Sequence, residues 1–323
     1  MKTRSLIAAL AAALALPLAV QAQQPFPSRP ITWTLGFAAG GGMDAVTRLV
    51  AAKLSQNIGQ PVVVENKPGA SSMIVAQYVA KSAPDGYTIW STEQGALVFN
   101  SALYSKLPYD PVKDFTPITN MISAPLVLVV NPGFAATDLR SLIEMAKKAP
   151  GKYTYGGPGH GAFHHLGMEA LKERTGMNIM DVQYKGIGPA MQDVIAGQVP
   201  ISPVDTVVVL PSLKAGKLRA LATFSNTRLA VTPDVPSLAE LGYPGLDMAP
   251  IVGVMAPRGV PKDVIAKLNT EIVRALRDPA ITARLNGFGL SVIGDSPEQF
   301  GAFLDAEAKR WLPLIRKLNI KLD

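Results

Sequence analysis

Three consecutive glycines, Gly40, Gly41 and Gly42, stand between an alternating segment, Ile31-Thr32-Trp33-Thr34-Leu35, and a run with Val46, Leu49, Val50 and Leu54 at helical spacing. A strand that turns through glycine into a helix leaves the first backbone N–H groups of that helix unpaired at its positive end. That is the chemistry of anion binding. Glycine also removes Cβ atoms where backbone must approach a ligand. Phe37, Ala38, Ala39, Gly40, Gly41, Gly42, Met43 and Asp44 therefore form the first candidate site, with Asp44 expected to cap the helix and Gly59 and Pro61 to end it. The competing reading of the loop is a tight strand-to-helix turn.

A second junction of the same kind follows residues 153–155, where Gly156-Gly157-Pro158-Gly159-His160-Gly161 precedes a helix carrying Leu166, Met168 and Leu171. Its candidate contacts are Gly159, His160, Gly161, Ala162, Phe163 and His164. All three histidines of the chain, His160, His164 and His165, crowd into this segment. With no HExxH and no cysteine pattern they do not announce a metal site, so His165 is expected to pack or cap within its helix while His160 and His164 touch ligand. Asp205, at the end of the apolar run 199–204, either caps the following short helix or meets a ligand hydroxyl or amine. Lys185, in Tyr184-Lys185-Gly186, is either a carboxylate's charge partner or part of a plain turn.

Other chemistries lack their residues. No Lys-Ser or Lys-Thr follows the glycines to reach phosphates, and the GxGxxG spacing of dinucleotide folds is missing, so no nucleotide or other cofactor is expected. GxSxG, SxxK and thiols are absent, which disfavours the main alternative, an exported hydrolase acting on a carboxylated substrate. The formal charge is +7, spread thinly over 31 Lys and Arg against 24 Asp and Glu. A nucleic-acid partner calls for a basic face, so none is expected; a modest preference for small anions is.

Around these loops, short apolar strands alternate with helices, the pattern of parallel sheets covered on both faces, so the fold class is α/β. Lys2 and Arg4, the apolar stretch 6–20 and Val20-Gln21-Ala22 read as a signal peptide over 1–22, cleaved near Ala22. Its loss changes the balance from +7 to +5, because Lys2 and Arg4 leave with no acidic residue. No cysteine is present to form disulfides or carry a lipid, so a freely soluble periplasmic monomer is expected. In the last segment, 251–323, one apolar strand cannot shield two long helices at 261–276 and 297–318. It should therefore pack back on the N-terminal part, giving a discontinuous first domain, 23–122 plus 248–323, and a second domain, 123–247. The double crossing between them reads as a hinge. Ser296, Pro297 and Gln299 should start the last helix.

Specific strings extend this picture. Ala39-Gly40-Gly41-Gly42 with Asp44, Gly59-Gln60-Pro61-Val62-Val63-Val64-Glu65-Asn66-Lys67-Pro68-Gly69-Ala70, Ala83-Pro84-Asp85-Gly86-Tyr87-Thr88, Leu107-Pro108-Tyr109-Asp110-Pro111, Tyr184-Lys185-Gly186 and Ala215-Gly216-Lys217-Leu218-Arg219-Ala220 resemble the Bug-type periplasmic solute receptors of tripartite tricarboxylate transporters. The resemblance covers essentially the whole mature chain. It implies a two-domain Venus-flytrap receptor that grips a carboxylate between the loops 37–44 and 156–165, with integral membrane transporter subunits as partners and no catalysis. A sensor that presents its solute to a signalling protein would share these features. Three departures bear on the ligand: Gly36-Phe37-Ala38 replaces the family's Pro-Phe-Pro, Met43 replaces a Thr, and Ala162-Phe163-His164 replaces a Thr-Ser-Ser run. Hydroxyls give way to apolar surface, so an aromatic or partly apolar carboxylate is the expectation.

Overall fold

The structure is a computed structural model that describes residues 25–37, 39–184 and 186–322. The signal-peptide expectation, Ala38 and Lys185 lie outside the described residues. In chain order the elements of the first part are β1 (Ile31–Leu35), α1 (Gly42–Ile58), β2 (Val62–Asn66), α2 (Met73–Ala80), β3 (Thr88–Thr92), a π-helical turn (Gly95–Phe99), α3 (Asn100–Leu103) and β4 (Phe115–Ser123). Next come β5 (Leu126–Val130), α4 (Leu139–Lys148), β6 (Thr154–Gly157), α5 (Phe163–Thr175), β7 (Met180–Gln183), α6 (Ile187–Ile195), β8 (Ile201–Asp205), α7 (Thr206–Lys214) and β9 (Arg219–Thr223). The chain closes with β10 (Ile251–Pro257), α8 (Lys262–Leu276), α9 (Pro279–Gly287), β11 (Ser291–Val292) and α10 (Pro297–Lys317).

Two sheets result. One has the order β11-β4-β10-β3-β1-β2, the other β7-β6-β8-β5-β9. The last segment does return to the first sheet, where β10 inserts between β3 and β4. The expectation of parallel sheets needs correction: β10 runs antiparallel to both neighbours, and β5 runs antiparallel to both β8 and β9. Each sheet takes in a strand that arrives from the other sheet, β5 two residues after β4 and β10 after the return, so neither is bound to the parallel direction that a helical crossover within one sheet imposes. The closing segment also holds a helix, α9, and the short strand β11, neither of which the apolar pattern announced.

The strands that carry the site are buried as their composition requires. Ile31, Trp33, Thr34 and Leu35 of β1 and Leu126 to Val130 of β5 have no accessible surface. Two buried polar side chains of β1 are paired: Trp33 Nε1 donates to Ser91 Oγ at 2.9 Å and Thr34 Oγ1 donates to the Ile89 carbonyl at 3.0 Å. The two chain crossings between the sheets run side by side. Ala124 N–H donates to the Pro250 carbonyl at 2.8 Å and Leu126 N–H to that of Met248 at 3.2 Å. Gln94, almost fully buried, holds the returning one by donating to the Ala249 carbonyl at 3.2 Å and accepting from Ile251 N–H at 3.1 Å.

Helix starts follow local chemistry. Asp138 and Ser141 form a reciprocal cap on α4, and Ser296 with Gln299 does the same on α10, as expected for the latter. The N-terminal ends of α1, α5 and α7 differ: their N-cap residues, Gly41, Ala162 and Asp205, make no side-chain capping bond.

Candidate functional site

Those three uncapped helix ends surround one cavity of about 920 Å³ between the two sheets. Gly41, Gly42 and Met43 of α1, Ala162, Phe163 and His164 of α5, and Asp205 with Val207 and Val208 of α7 all line it. Backbone N–H groups in a first helical turn have no partner within the helix, so the ends of α1 and α5 offer donors and a positive potential to an anion, whereas the end of α7 also carries the Asp205 carboxylate and has its Thr206 N–H bonded to the Pro125 carbonyl. Sequence reading found the first two ends through their glycines. The third carries no glycine and was singled out through Asp205; the sheet order brings it alongside.

The first loop is held by Asp44. Its carboxylate accepts from Gly40 N–H at 2.9 Å, Asn66 Nδ2 at 2.9 Å and Arg48 Nε at 3.0 Å, and its side chain is only 5% exposed. Asp44 therefore fastens the loop instead of capping α1, and neither it nor Ala39 lines the cavity. Burial acts against the charge, but the bonds from Arg48, Gly40 and Asn66 outweigh it and hold the carboxyl down at about 2. Because the folded value lies below the ordinary 3.8, Asp44 stabilises the fold above pH 4 and loses that contribution as pH falls through 2. The shift corresponds to about 2 kcal/mol. Asp44→Asn is expected to cost an amount of that order at pH 7, with the gap to wild type closing between pH 4 and 2. Urea denaturation at several pH values measures it.

In the second loop, His164 Nε2 lies 2.9 Å from Asp205 Oδ2, joining the ends of α5 and α7. Burial would raise the Asp205 carboxyl, yet the charge and hydrogen bond of His164 bring it below its usual range. Asp205 is thus the N-cap residue of α7 by position, while its carboxylate serves His164 at the cavity wall. His165 accepts Gly161 N–H at 3.2 Å through Nδ1 and is buried, which pushes its imidazole down, toward the neutral form. Gly161 has φ +75°, and a Cβ there would lie 2.9 Å from Leu103 Cδ1, so the second loop requires glycine at this point. Phe163 packs on Phe99 with ring centroids 4.8 Å apart, and Phe99 in turn meets Trp311 at 6.2 Å. The Phe163 ring is consequently part of the wall, whereas Phe37, also in the lining, is more than a third exposed.

Of the expected contacts, Phe37, Gly40, Gly41, Gly42, Met43, Gly159, His160, Gly161, Ala162, Phe163, His164 and Asp205 are brought together in the cavity lining. Three contributors escaped the sequence reading. The turn Ala70-Ser71-Ser72 has three successive non-glycine residues at positive φ (47°, 48° and 65°), a strained conformation of the kind that gathers at binding sites. The π-helical turn supplies Gly95 and Phe99 beside Glu93, whose carboxyl is pushed up by burial despite accepting the Gly95 and Ala96 N–H groups. Helix α9 supplies Arg284 and Leu285, and Arg284 is the one Lys or Arg among the described lining residues. Proline runs and glycine spacing carry no signal for any of these.

Comparison with known proteins matches the chain to a family. The family described as tripartite tricarboxylate transporter family receptor matches residues 46–320. The protein BugT of Bordetella pertussis is 36% identical over 298 residues, which are 92% of this chain and 91% of BugT. Three solved structures superpose over whole lengths. A protein of R. palustris solved with adipate is 34% identical with TM-score 0.81, covering 92% of this chain and 100% of its own. The periplasmic binding protein BugD is 33% identical with TM-score 0.77, covering 92% and 100%. MatC from Rhodopseudomonas palustris with bound malate is 32% identical with TM-score 0.76, covering 90% and 100%. The chain belongs to the tripartite tricarboxylate transporter receptor family and has the two-domain α/β architecture of a periplasmic binding protein.

Proposed function

We propose that this receptor captures a small carboxylate in the cavity between its domains and delivers it to the membrane subunits of a tripartite transporter, without transforming it. The observation that carries the reading is the convergence of three helix N-termini with no side-chain cap on one cavity with Arg284 at its wall. Micromolar capture needs about −8 kcal/mol. A charge-assisted hydrogen bond contributes roughly 1.5–3 kcal/mol, so donors from both domains are required and water must be kept out. Domain 1 is proposed as residues 23–122 plus 248–323 and domain 2 as 123–247, with the paired crossings at Ala124–Pro250 and Leu126–Met248 as the hinge between them. Export with cleavage near Ala22 and action as a monomer complete the proposal.

The lining supports a ligand class. Phe37, Phe163, Val207, Val208, Leu285 and Phe288 place apolar surface between the N–H clusters. Such a wall suits a carboxylate with an apolar body, either a longer aliphatic diacid, like the adipate bound by one relative, or an aromatic acid. Titration calorimetry with adipate, malate, benzoate and terephthalate, each beside its neutral amide, tests the reading. At least one acid should bind at micromolar concentration, with its amide weaker by about a hundredfold or more, as expected when several charge-assisted bonds are lost. Equal affinity for an acid and its amide would overturn carboxylate recognition.

A further inference from the structure

Where His160 lines the cavity, the fold brings His160, His165 and Asp181 together so that one potential ligand atom of each lies within 4.8 Å of the others. We infer that these three side chains form a binding site for a divalent transition-metal ion of the zinc type. His160 and His165 come from the second glycine loop and the first turn of α5, and Asp181 from β7, whose register beside β6 places it opposite Tyr155. Two imidazoles and one carboxylate are the donor set that zinc, cobalt and nickel accept, leaving a fourth position for water.

The distances suit such an ion. Ligand atoms bound to zinc at about 2.0–2.1 Å in a tetrahedron stand about 3.3–3.4 Å apart. His160 Nδ1 and Asp181 Oδ2 are already 3.4 Å apart. The His160 and His165 rings meet edge to face, with centroids 5.1 Å apart, so a modest rotation of the half-exposed His160 side chain brings its ring nitrogen into place. Asp181 is oriented by its neighbour: Gln183 Nε2 donates to Asp181 Oδ2 at 2.7 Å, the kind of outer bond that fixes a ligating carboxylate. Gln183 Oε1 is buried with no hydrogen-bond partner, a polar group left over beside the cluster.

Coordination through Nε2 of His165 moves the ring proton to Nδ1, which now accepts Gly161 N–H over a long 3.2 Å. That contact must open, and Gly161, at φ +75° in the loop, is the pivot. An ordinary histidine–carboxylate cluster makes no such demand, so the two possibilities separate in experiment.

The test uses the full mature chain, tag-free and stripped with EDTA, titrated with zinc by calorimetry and with cobalt by visible absorption. Wild type should bind one equivalent of zinc and develop the absorption of a tetrahedral cobalt site. His160→Ala and Asp181→Asn, both at partly exposed side chains and checked for an unchanged Tm, should each weaken zinc by at least about tenfold and abolish the cobalt bands. Absence of saturable binding to wild type overturns the site. So does binding that both variants retain, which would place the ion elsewhere, at His164 and Asp205.

Discussion

Gly40→Val is expected to lower carboxylate affinity by about tenfold to a hundredfold while the protein still folds. Gly40 has φ +83°, a left-handed conformation that costs an ordinary L-residue about 1–2 kcal/mol and a β-branched one more. No atom lies within 4 Å of where a Cβ would stand, so the damage comes through the backbone and not through a clash. The loop would have to leave its conformation, breaking the Gly40 N–H bond to Asp44 and moving the N–H groups of Gly41 and Gly42 away from the cavity. Gly41, at φ −78°, carries no such restriction, although it sits in the middle of the glycine run. Gly42→Ala, at a position open to space and without positive φ, is the control and should bind close to wild type. Calorimetry with an acid that binds wild type, beside circular dichroism of both variants, decides the matter. Unchanged affinity in Gly40→Val would reduce the loop to a turn.

The largest stability effect is expected at Gly253, in the middle of β10. A Cβ there would stand 2.3 Å from Phe300 Cζ and 2.9 Å from Cε1. Phe300, at the start of α10, has no accessible surface, so its ring has nowhere to swing. Gly253→Val must therefore push α10 off the central strand of the first sheet. Overpacking of this kind costs about 1–3 kcal/mol and occasionally more. Because α10 also carries Trp311 against Phe99, the displacement should reach the cavity wall. Urea denaturation should show a lower midpoint with unchanged slope. Adding Phe300→Leu to the smaller change Gly253→Ala should recover part of the loss, a coupling that two independent sites would not show. A wild-type midpoint for Gly253→Val would mean that β10 and α10 are loosely packed.

Much of this protein is legible in the chain because it depends on residues within one turn of each other. Glycines between a strand and a helix, the Ser296 and Gln299 cap, and Gly59 at φ +68° ending α1 are local matters of backbone freedom and hydrogen-bond reach. The return of the last segment to the first sheet was also readable, since a single strand cannot shield two long helices. Antiparallel pairing was not, because strand direction depends on partners a hundred or more residues away, as with β10 and β3. Helix α9 buries only Leu285, so it leaves too little apolar pattern to be seen, yet it delivers Arg284 to the cavity.

The site divides in the same way. Sequence alone determined that two glycine loops would lead into helix starts, because the free N–H groups of a first helical turn follow from backbone geometry whatever the surroundings. Tertiary structure alone decided which side chains line the cavity. Asp44 sits beside three glycines in the chain but turns inward to Arg48 and Asn66, because a buried carboxylate must find donors. Asp205 and His164, 41 residues apart, meet at 2.9 Å, and Asp181 reaches His160 only through the pairing of β6 with β7. Backbone donors are set by local spacing, whereas side-chain partners are set by the packing of elements distant in sequence.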